Sequence, residues 1–327
     1  RMAELTLVEA VNRALARAMQ DDPAVIVFGE DVGRDGGVFR ATEGLVERFG
    51  AERVLDTPVA EAAIAGIAIG MAAHGLRPVA EIQFDGFMYS TLDQMVNHAS
   101  RLRNRTRGRL SCPMVLRAPF GGGIHAPEHH SESPEAMFAH IPGLRVVIPS
   151  SPARAYGLLL AAIRDPDPVV FLEPKRSYRA LREEVADDGV ALALDTCFTL
   201  REGSDLTLVS WGAMLGEALA AADALAAQGV SAEVIDVATL KPLDADTITA
   251  SVARTGRAVI VHEAPLSGGF GAEIAARLAE RCLFELRAPV LRVAGYDTVM
   301  PLAKLEQHYM PSRERILEAV HEVMRYP

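Results

Sequence analysis

Val8, Val11, Leu15 and Ala18 recur at helical spacing behind Thr6, a good N-cap, and predict an amphipathic helix near the start of the chain. The period then changes. Residues 24–28, AVIVF, form a short continuous apolar run that ends in Gly29-Glu30-Asp31. That pattern predicts a buried strand delivering acids at its C-terminal end. Residues 60–73 are helix-like, and a strand over 78–84 and a helix over 89–105 follow. Residues 114–117 and 144–148 predict strands, 152–164 a helix with proline in its first turn, and 168–172 another strand.

The stretch 178–195 loses its periodicity and turns acidic at Glu183, Glu184, Asp187 and Asp188, which predicts an interdomain linker. A second alternating series follows. Strands are expected over 206–210, 232–237, 258–262 and 289–293, and helices over 216–228, 244–253, 272–281 and 313–324. Strands alternating with helices predict an α/β protein with parallel sheets. The expected architecture is two doubly wound domains, residues 1–185 and 186–327, with no internal repeat.

Composition narrows the function classes. A chain of 327 residues with 50% hydrophobic and 23% charged residues has ample core for two globular domains. The net charge of −10 argues against a nucleic-acid groove or an anionic membrane surface as the main partner. No apolar run reaches the roughly 18 residues of a membrane helix, and the start shows no signal-peptide layout. Cys112, Cys197 and Cys282 lie too far apart for a disulfide frame or a zinc pattern, and predict reduced thiols in a cytosol-like compartment.

Glu61 stands at the head of the apolar run 62–73, AAIAGIAIGMAA. A carboxylate half-sunk in an apolar helix start is costly to ionise unless something binds it, and enzymes use that arrangement for proton transfer. The alternative is a first-turn acid that favours the helix dipole. Glu30 at a strand end and Asp93 at a helix start are candidates to join it, because strand C-termini form the ligand crevice of open parallel sheets. The loop FGGGIHAPEHHSES, residues 120–133, brings His125, Glu128, His129 and His130 close in sequence behind three glycines. A metal site, a proton-handling or anion-orienting histidine, and a plain loop all remain open there. The glycines are not a dinucleotide fingerprint, and GxxxxGK[ST] is absent. Ser267 to Gly271, SGGFG, reads as an anion site or a tight helix entry. Phe87 and Tyr89 read as ring platforms or core.

Many motifs in one order then resemble a single family over nearly the whole length. They are GEDVGRDGGVFRATEGL (29–45), DTPVAEAAIAG (56–66), AEIQFDGF (80–87), EHHSESPEAMFAHIPGLRVVIPSSP (128–152), DPVVFLEPKRSYR (167–179), ATLKPLD (238–244), TGRAVIVHEAP (255–265) and APVLRVAGYDT (288–298). The family is the beta subunit of the decarboxylating first component of 2-oxo acid dehydrogenase complexes. The resemblance implies a transketolase-like pyrimidine-binding domain followed by a transketolase C-terminal-like domain. It implies thiamine diphosphate held between an alpha and a beta subunit in an alpha2beta2 heterotetramer. Glu61 matches the glutamate that hydrogen-bonds a pyrimidine ring nitrogen, and Phe87 the aromatic that packs on that ring. Glu30 and Asp93 match acids of a chain connecting paired sites. His130 matches the histidine facing substrate or the lipoyl acceptor, while His129 stands where the family varies.

The resemblance further implies docking to the lipoyl domain and core of the acyltransferase component, and allows a potassium ion near Asp165. The Gly-Asp-Gly segment that holds magnesium and diphosphate in such enzymes is absent, and no Asn follows Asn104. Magnesium is therefore expected on an alpha chain, which argues against a single-chain transketolase-like enzyme. The segments HSESPEAMFAH, FLEPKRSYR and HEAPLSGGFGAEI look closer to branched-chain 2-oxo acid enzymes, with pyruvate the runner-up. A subunit serving mainly to dock the acyltransferase core is the alternative of a different class. The expected compartment is bacterial cytoplasm, or the mitochondrial matrix after processing in a eukaryote.

Overall fold

In the computed structural model, which describes residues 2–327, the chain forms two compact units. The first comprises residues up to Phe120 together with Met137–Leu194; the second comprises Gly121–Ala136 and Asp195–Pro327.

The first unit is built on six parallel strands: β2 (Val25–Gly29), β3 (Val54–Asp56), β4 (Arg77–Glu81), β5 (Val115–Phe120), β6 (Arg145–Val147) and β7 (Val169–Pro174), in the order β6-β7-β5-β4-β2-β3. The runs of consecutive buried residues in β2, β5 and β7 are what a sheet covered on both faces requires. The helix Leu7–Asp21 starts with a reciprocal capping box between Thr6 and Glu9. It packs on Pro152–Arg164, the helix predicted over 152–164, which Ser151 caps by accepting from the Arg154 N–H.

Two expectations are corrected here. The stretch 178–195 is no free linker. Its strand β8 (Glu183–Ala186) pairs antiparallel with β1 (Met2–Leu5), and the Leu192 N–H donates to the Gly157 carbonyl at 3.0 Å. Its acids are engaged within the unit: Glu183 accepts the Ala153 N–H at a helix start, and Asp187 accepts the Tyr156 hydroxyl at 2.9 Å. The helix expected over 89–105 is broken into the turn Asp85–Thr91, the helix Leu92–Asn97, the turn Ala99–Arg101 and the helix Leu102–Arg105. The hydroxyls of Ser90, Thr91, Ser100 and Thr106 donate to the carbonyls of Phe87, Met88, Val96 and Leu102, which loosens and bends helical turns.

In the second unit β14 (Leu291–Gly295), β13 (Ala258–Pro265), β10 (Leu206–Ser210) and β11 (Ala232–Asp236) run parallel in that order, and β9 (Phe198–Arg201) joins β11 antiparallel at the edge. A short strand β12 (Thr239–Lys241) follows β11. Leu208, Val234, Val259 and Val261 pack with Leu215 and Leu225 of the helix Met214–Ala227 and with Ile316 and Val320 of Arg313–Val323. Neither β1 nor β9 was expected; four residues of mixed polarity are too short to show a period.

Candidate active site

In the first unit Glu30 follows the C-terminal end of β2 directly, and Glu61 opens the helix Glu61–Ala73. Gly29 permits this strand ending, since a Cβ there would come within 2.6 Å of the Glu81 carbonyl oxygen on β4. The chain after Glu30 is tied down by Asp56 at the end of β3, which accepts the Gly33 N–H at 2.7 Å and the Arg34 N–H at 3.0 Å. Glu30 is only 5% exposed and Glu61 is half-buried. Burial, then the charges of Glu61 and Asp31, push the Glu30 carboxyl up to about 7. Hydrogen bonding between the Glu30 and Glu61 side chains adds to the same shift. Glu30 Oε1 is buried with no hydrogen-bond partner.

The raised Glu30 carboxyl gives a pH signature. A carboxyl titrating higher in the folded than in the unfolded chain destabilises the fold as pH rises from about 4.5 through about 7. Glu30→Gln keeps a donor toward Glu61 and removes the charge. The variant is expected to be more stable than the parent at pH 8 by about 1–3 kcal/mol, with the gap closing toward pH 5. Thermal melts at the two pH values check this; a gap independent of pH would place the titration elsewhere.

Beneath this pair lies an ionic layer absent from the expectations. Arg117 in β5 donates through Nη1 to Glu81 of β4, and to Glu173 of β7 through Nε at 3.0 Å and Nη2 at 2.6 Å. All three side chains are buried. Burial works against the Arg117 charge, but Glu173 and then Glu81 outweigh it and the net shift is upward. Burial, despite Arg117, leaves Glu173 raised. A second buried pair joins Lys175 Nζ to Asp85 Oδ2 at 3.0 Å. It anchors the turn Asp85–Thr91 that carries Phe87. That ring is half-buried and meets Phe84 edge to face at 6.0 Å, and Lys175 Nζ lies 5.4 Å from the Phe84 ring centre.

Asp93 is placed differently. It is exposed in the first turn of Leu92–Asn97, and its carboxylate accepts from Asn97 at 2.7 Å and Gln94 at 3.2 Å. Asp165 meets Arg145 Nε at 3.3 Å, and its carbonyl accepts from Arg77 Nη1 at 3.3 Å. Two guanidinium groups at one turn do not fit a potassium ion.

In the second unit the histidine loop runs from Gly121 to Glu135. Gly121 and Gly123 take φ of 85° and 87°, and His125 takes φ of 60°. The turn Glu128–His130 is closed by the His130 N–H on the Pro127 carbonyl and the Ser131 N–H on the Glu128 carbonyl, both 2.9 Å. His130 is half-buried, and its ring meets that of exposed His129 at 6.2 Å. Among the described residues no three His, Cys, Asp or Glu side chains are grouped to hold a metal ion. The SGGFG segment is a tight helix entry: Gly269 and Gly271 lie against the His262 ring, where a Cβ would come within 2.6 and 2.7 Å. His262 stacks on Trp211 at 5.3 Å, and burial lowers it to about 4, so it is neutral.

Residues 3–180 match the model of the transketolase pyrimidine binding domain, and residues 196–316 that of the transketolase C-terminal domain. The chain is 48% identical to the pyruvate dehydrogenase E1 component subunit beta of Bacillus subtilis over 99% of its own length and 100% of the relative's. The chain belongs to the family of 2-oxo acid dehydrogenase E1 beta subunits. It is also 50% identical to the 3-methyl-2-oxobutanoate dehydrogenase subunit beta of Mycobacterium tuberculosis, over 99% of this chain and 93% of that one. A solved structure described as a split gene transketolase, inactive beta4 tetramer, matches with TM-score 0.81 and 25% identity over 99% of both chains.

The two doubly wound domains expected from the sequence are thus those of the transketolase fold, and the chain is an enzyme-complex component. E1 components of this kind depend on thiamine diphosphate, and an E1 beta subunit works with an alpha subunit. No helix among the described residues is long and apolar enough to cross a membrane. The residues of the E1 beta chain fit one end of the cofactor. A carboxylate with a carboxyl behind it and an aromatic ring suit the pyrimidine. The acidic surroundings of Glu30, Asp31, Glu61 and Glu81 oppose a diphosphate.

Proposed function

We propose that this E1 beta subunit, joined to an alpha subunit as an alpha2beta2 heterotetramer, oxidatively decarboxylates a branched-chain 2-oxo acid and passes the acyl unit to a lipoyl group. The observation that carries the shared site is the helix Glu61–Ala73. It is apolar around its circumference, yet Ala62, Ala63 and Ile67 are exposed, Ile67 at 47%, and Val59 just before it at 79%. An apolar face of that kind calls for cover, and the alpha chain covers it beside the carboxylate that serves the cofactor. The beta-only tetramer of the split transketolase, described as inactive, supports the same division of labour. Magnesium and the diphosphate belong to the alpha chain.

Thiamine diphosphate supplies the carbon nucleophile and the electron sink for loss of carbon dioxide. Glu61 holds the pyrimidine through a hydrogen bond to a ring nitrogen. Glu30 backs Glu61 with its proton, Phe87 packs on the ring, and Asp93 lies on the outer route of a proton path. His130 gives a proton to the sulfur that leaves when the lipoyl disulfide opens. The compartment of this reading is bacterial cytoplasm. The partners are the lipoyl domain and core of the acyltransferase component, to which the chain also docks.

Rates on 3-methyl-2-oxobutanoate and on pyruvate, measured with the chain and its alpha partner together, test the substrate. A preference of about tenfold or more for the branched acid is expected, the scale on which a pocket resolves one or two methyl groups. The opposite preference would establish the pyruvate reading, which the Bacillus relative favours. His130→Ala is expected to lower complex-coupled activity more than decarboxylation with an artificial electron acceptor. Equal losses would mean that His130 orients substrate instead.

A further inference from the structure

The histidine loop is held to its own unit at three places, each by a buried side chain that the reading above does not use. The Gly122 N–H donates to Glu263 Oε2 at 3.2 Å. The His125 N–H donates to Glu306 Oε2 at 3.1 Å, with the His125 ring Nδ1 at 3.4 Å from Oε1. Trp211 Nε1–H donates to Glu135 Oε1 at 3.3 Å. Trp211 follows the end of β10, and Glu263 lies in β13 next to His262, on which Trp211 stacks. The C-terminal parts of two neighbouring parallel strands, β10 and β13, therefore secure both ends of the loop, and the helix Ala303–Tyr309 secures His125 through Glu306.

We infer that Glu263, Glu306 and Trp211 are positioning residues for His130, an inference that rests on the acyl-transfer role given to that histidine. His130 lies midway in sequence between the anchored residues His125 and Glu135. Between those anchors residues 127–129 are exposed, while Ser131 and Pro134 are buried. Glu263 and Glu306 are 4% and 3% exposed. Burying a carboxylate costs several kcal/mol unless it is paired or well hydrogen-bonded. Each of the two accepts a main-chain N–H of the loop, and a bond to the main chain fixes the path whatever the side chains do. Gly121, at φ 85°, lets the loop lie directly against the Glu263 carboxylate, which a Cβ there would meet. His125, at φ 60°, is held in a conformation that a side chain adopts only when its surroundings impose it.

The test uses the chain assembled with its alpha partner. In Glu306→Ala, hydrogen exchange at the His125 amide is expected to rise about tenfold to a hundredfold, the effect of losing one hydrogen bond to a charged acceptor. The ratio of lipoyl-coupled to artificial-acceptor activity is expected to fall about tenfold. Glu306→Gln, whose amide oxygen still accepts the His125 N–H, is expected to restore both readings toward the parent. Trp211→Phe keeps a ring on His262 and removes the donor to Glu135; it serves where Glu306→Ala does not fold, and is read at the Glu135 end of the loop. Unchanged exchange would overturn the anchoring. Faster exchange with an unchanged activity ratio would overturn the positioning role. If His130→Ala instead depresses both activities equally, it is the acyl-transfer reading that fails, and the exchange data still report on the anchors by themselves.

Discussion

Glu61→Gln is expected to leave the subunit folded and assembled with its alpha partner while decarboxylation falls ~10²-fold or more. The structural cost is small by comparison. Glu61 sits in the first turn of an apolar helix, where an acid contributes only about 0.3–1 kcal/mol through the helix dipole. A hundredfold rate loss corresponds to about 2.7 kcal/mol, more than that contribution. The substitution also has an independent signature at its neighbour. Glu61 is the largest charge acting on Glu30, so removing it lets the Glu30 carboxyl fall from about 7 toward its ordinary range. The Glu30-dependent part of the pH–stability profile would then move to lower pH. An assembled Glu61→Gln protein that decarboxylates at near parental rate would reduce Glu61 to a helix-start residue. The same result would favour the reading in which the chain mainly docks the acyltransferase core.

The regular elements were legible where a single period or a continuous apolar run dominates. The helix Pro152–Arg164 and the strand Leu206–Ser210 coincide with the expected ranges, because a proline start and a two-sided buried run leave little choice. The break-up of 89–105 was not legible, since hydroxyls that turn back onto carbonyls leave an apolar pattern intact. At the candidate site the nearness of Glu30 and Glu61 followed from strand-end logic, whereas the partners of Arg117 did not. Glu81 and Glu173 lie 36 and 56 residues away in the chain, and only the order β7-β5-β4 brings them together. A signal was present all the same. An arginine within VLRAPF and a glutamate within VVFLEP are charges inside apolar strands, and such charges must find each other. Glu263 and Glu306 gave none, because a main-chain N–H that a carboxylate accepts leaves no mark in the residue types.

Arg117→Met is expected to destabilise the assembled protein by about 3–5 kcal/mol at pH 8, the cost of leaving buried carboxylates without their cation. The sign with pH is definite. Without the guanidinium the buried carboxylates of the triad lose the charge that opposes their burial, and Glu173, already raised, rises further. The deficit is therefore complete at high pH and shrinks as acid protonates them. Thermal melts at pH 8 and pH 5.5 measure both quantities, and a variant melting within about two degrees of the parent at pH 8 would show the triad to be dispensable. Stability does not explain why charges sit here, since well-packed apolar residues often serve a core as well as a buried ion triad. The surroundings give a better reason. Glu81 is one of the charges acting on Glu30, and Arg117 is the cation that balances it. Removing Arg117 strengthens the negative field at Glu30 and moves its carboxyl further up. Because Glu30 then keeps its proton to higher pH, residual decarboxylation of Arg117→Met is expected to fall to half its maximum at a higher pH than in the parent, a displacement that loss of stability alone would not produce.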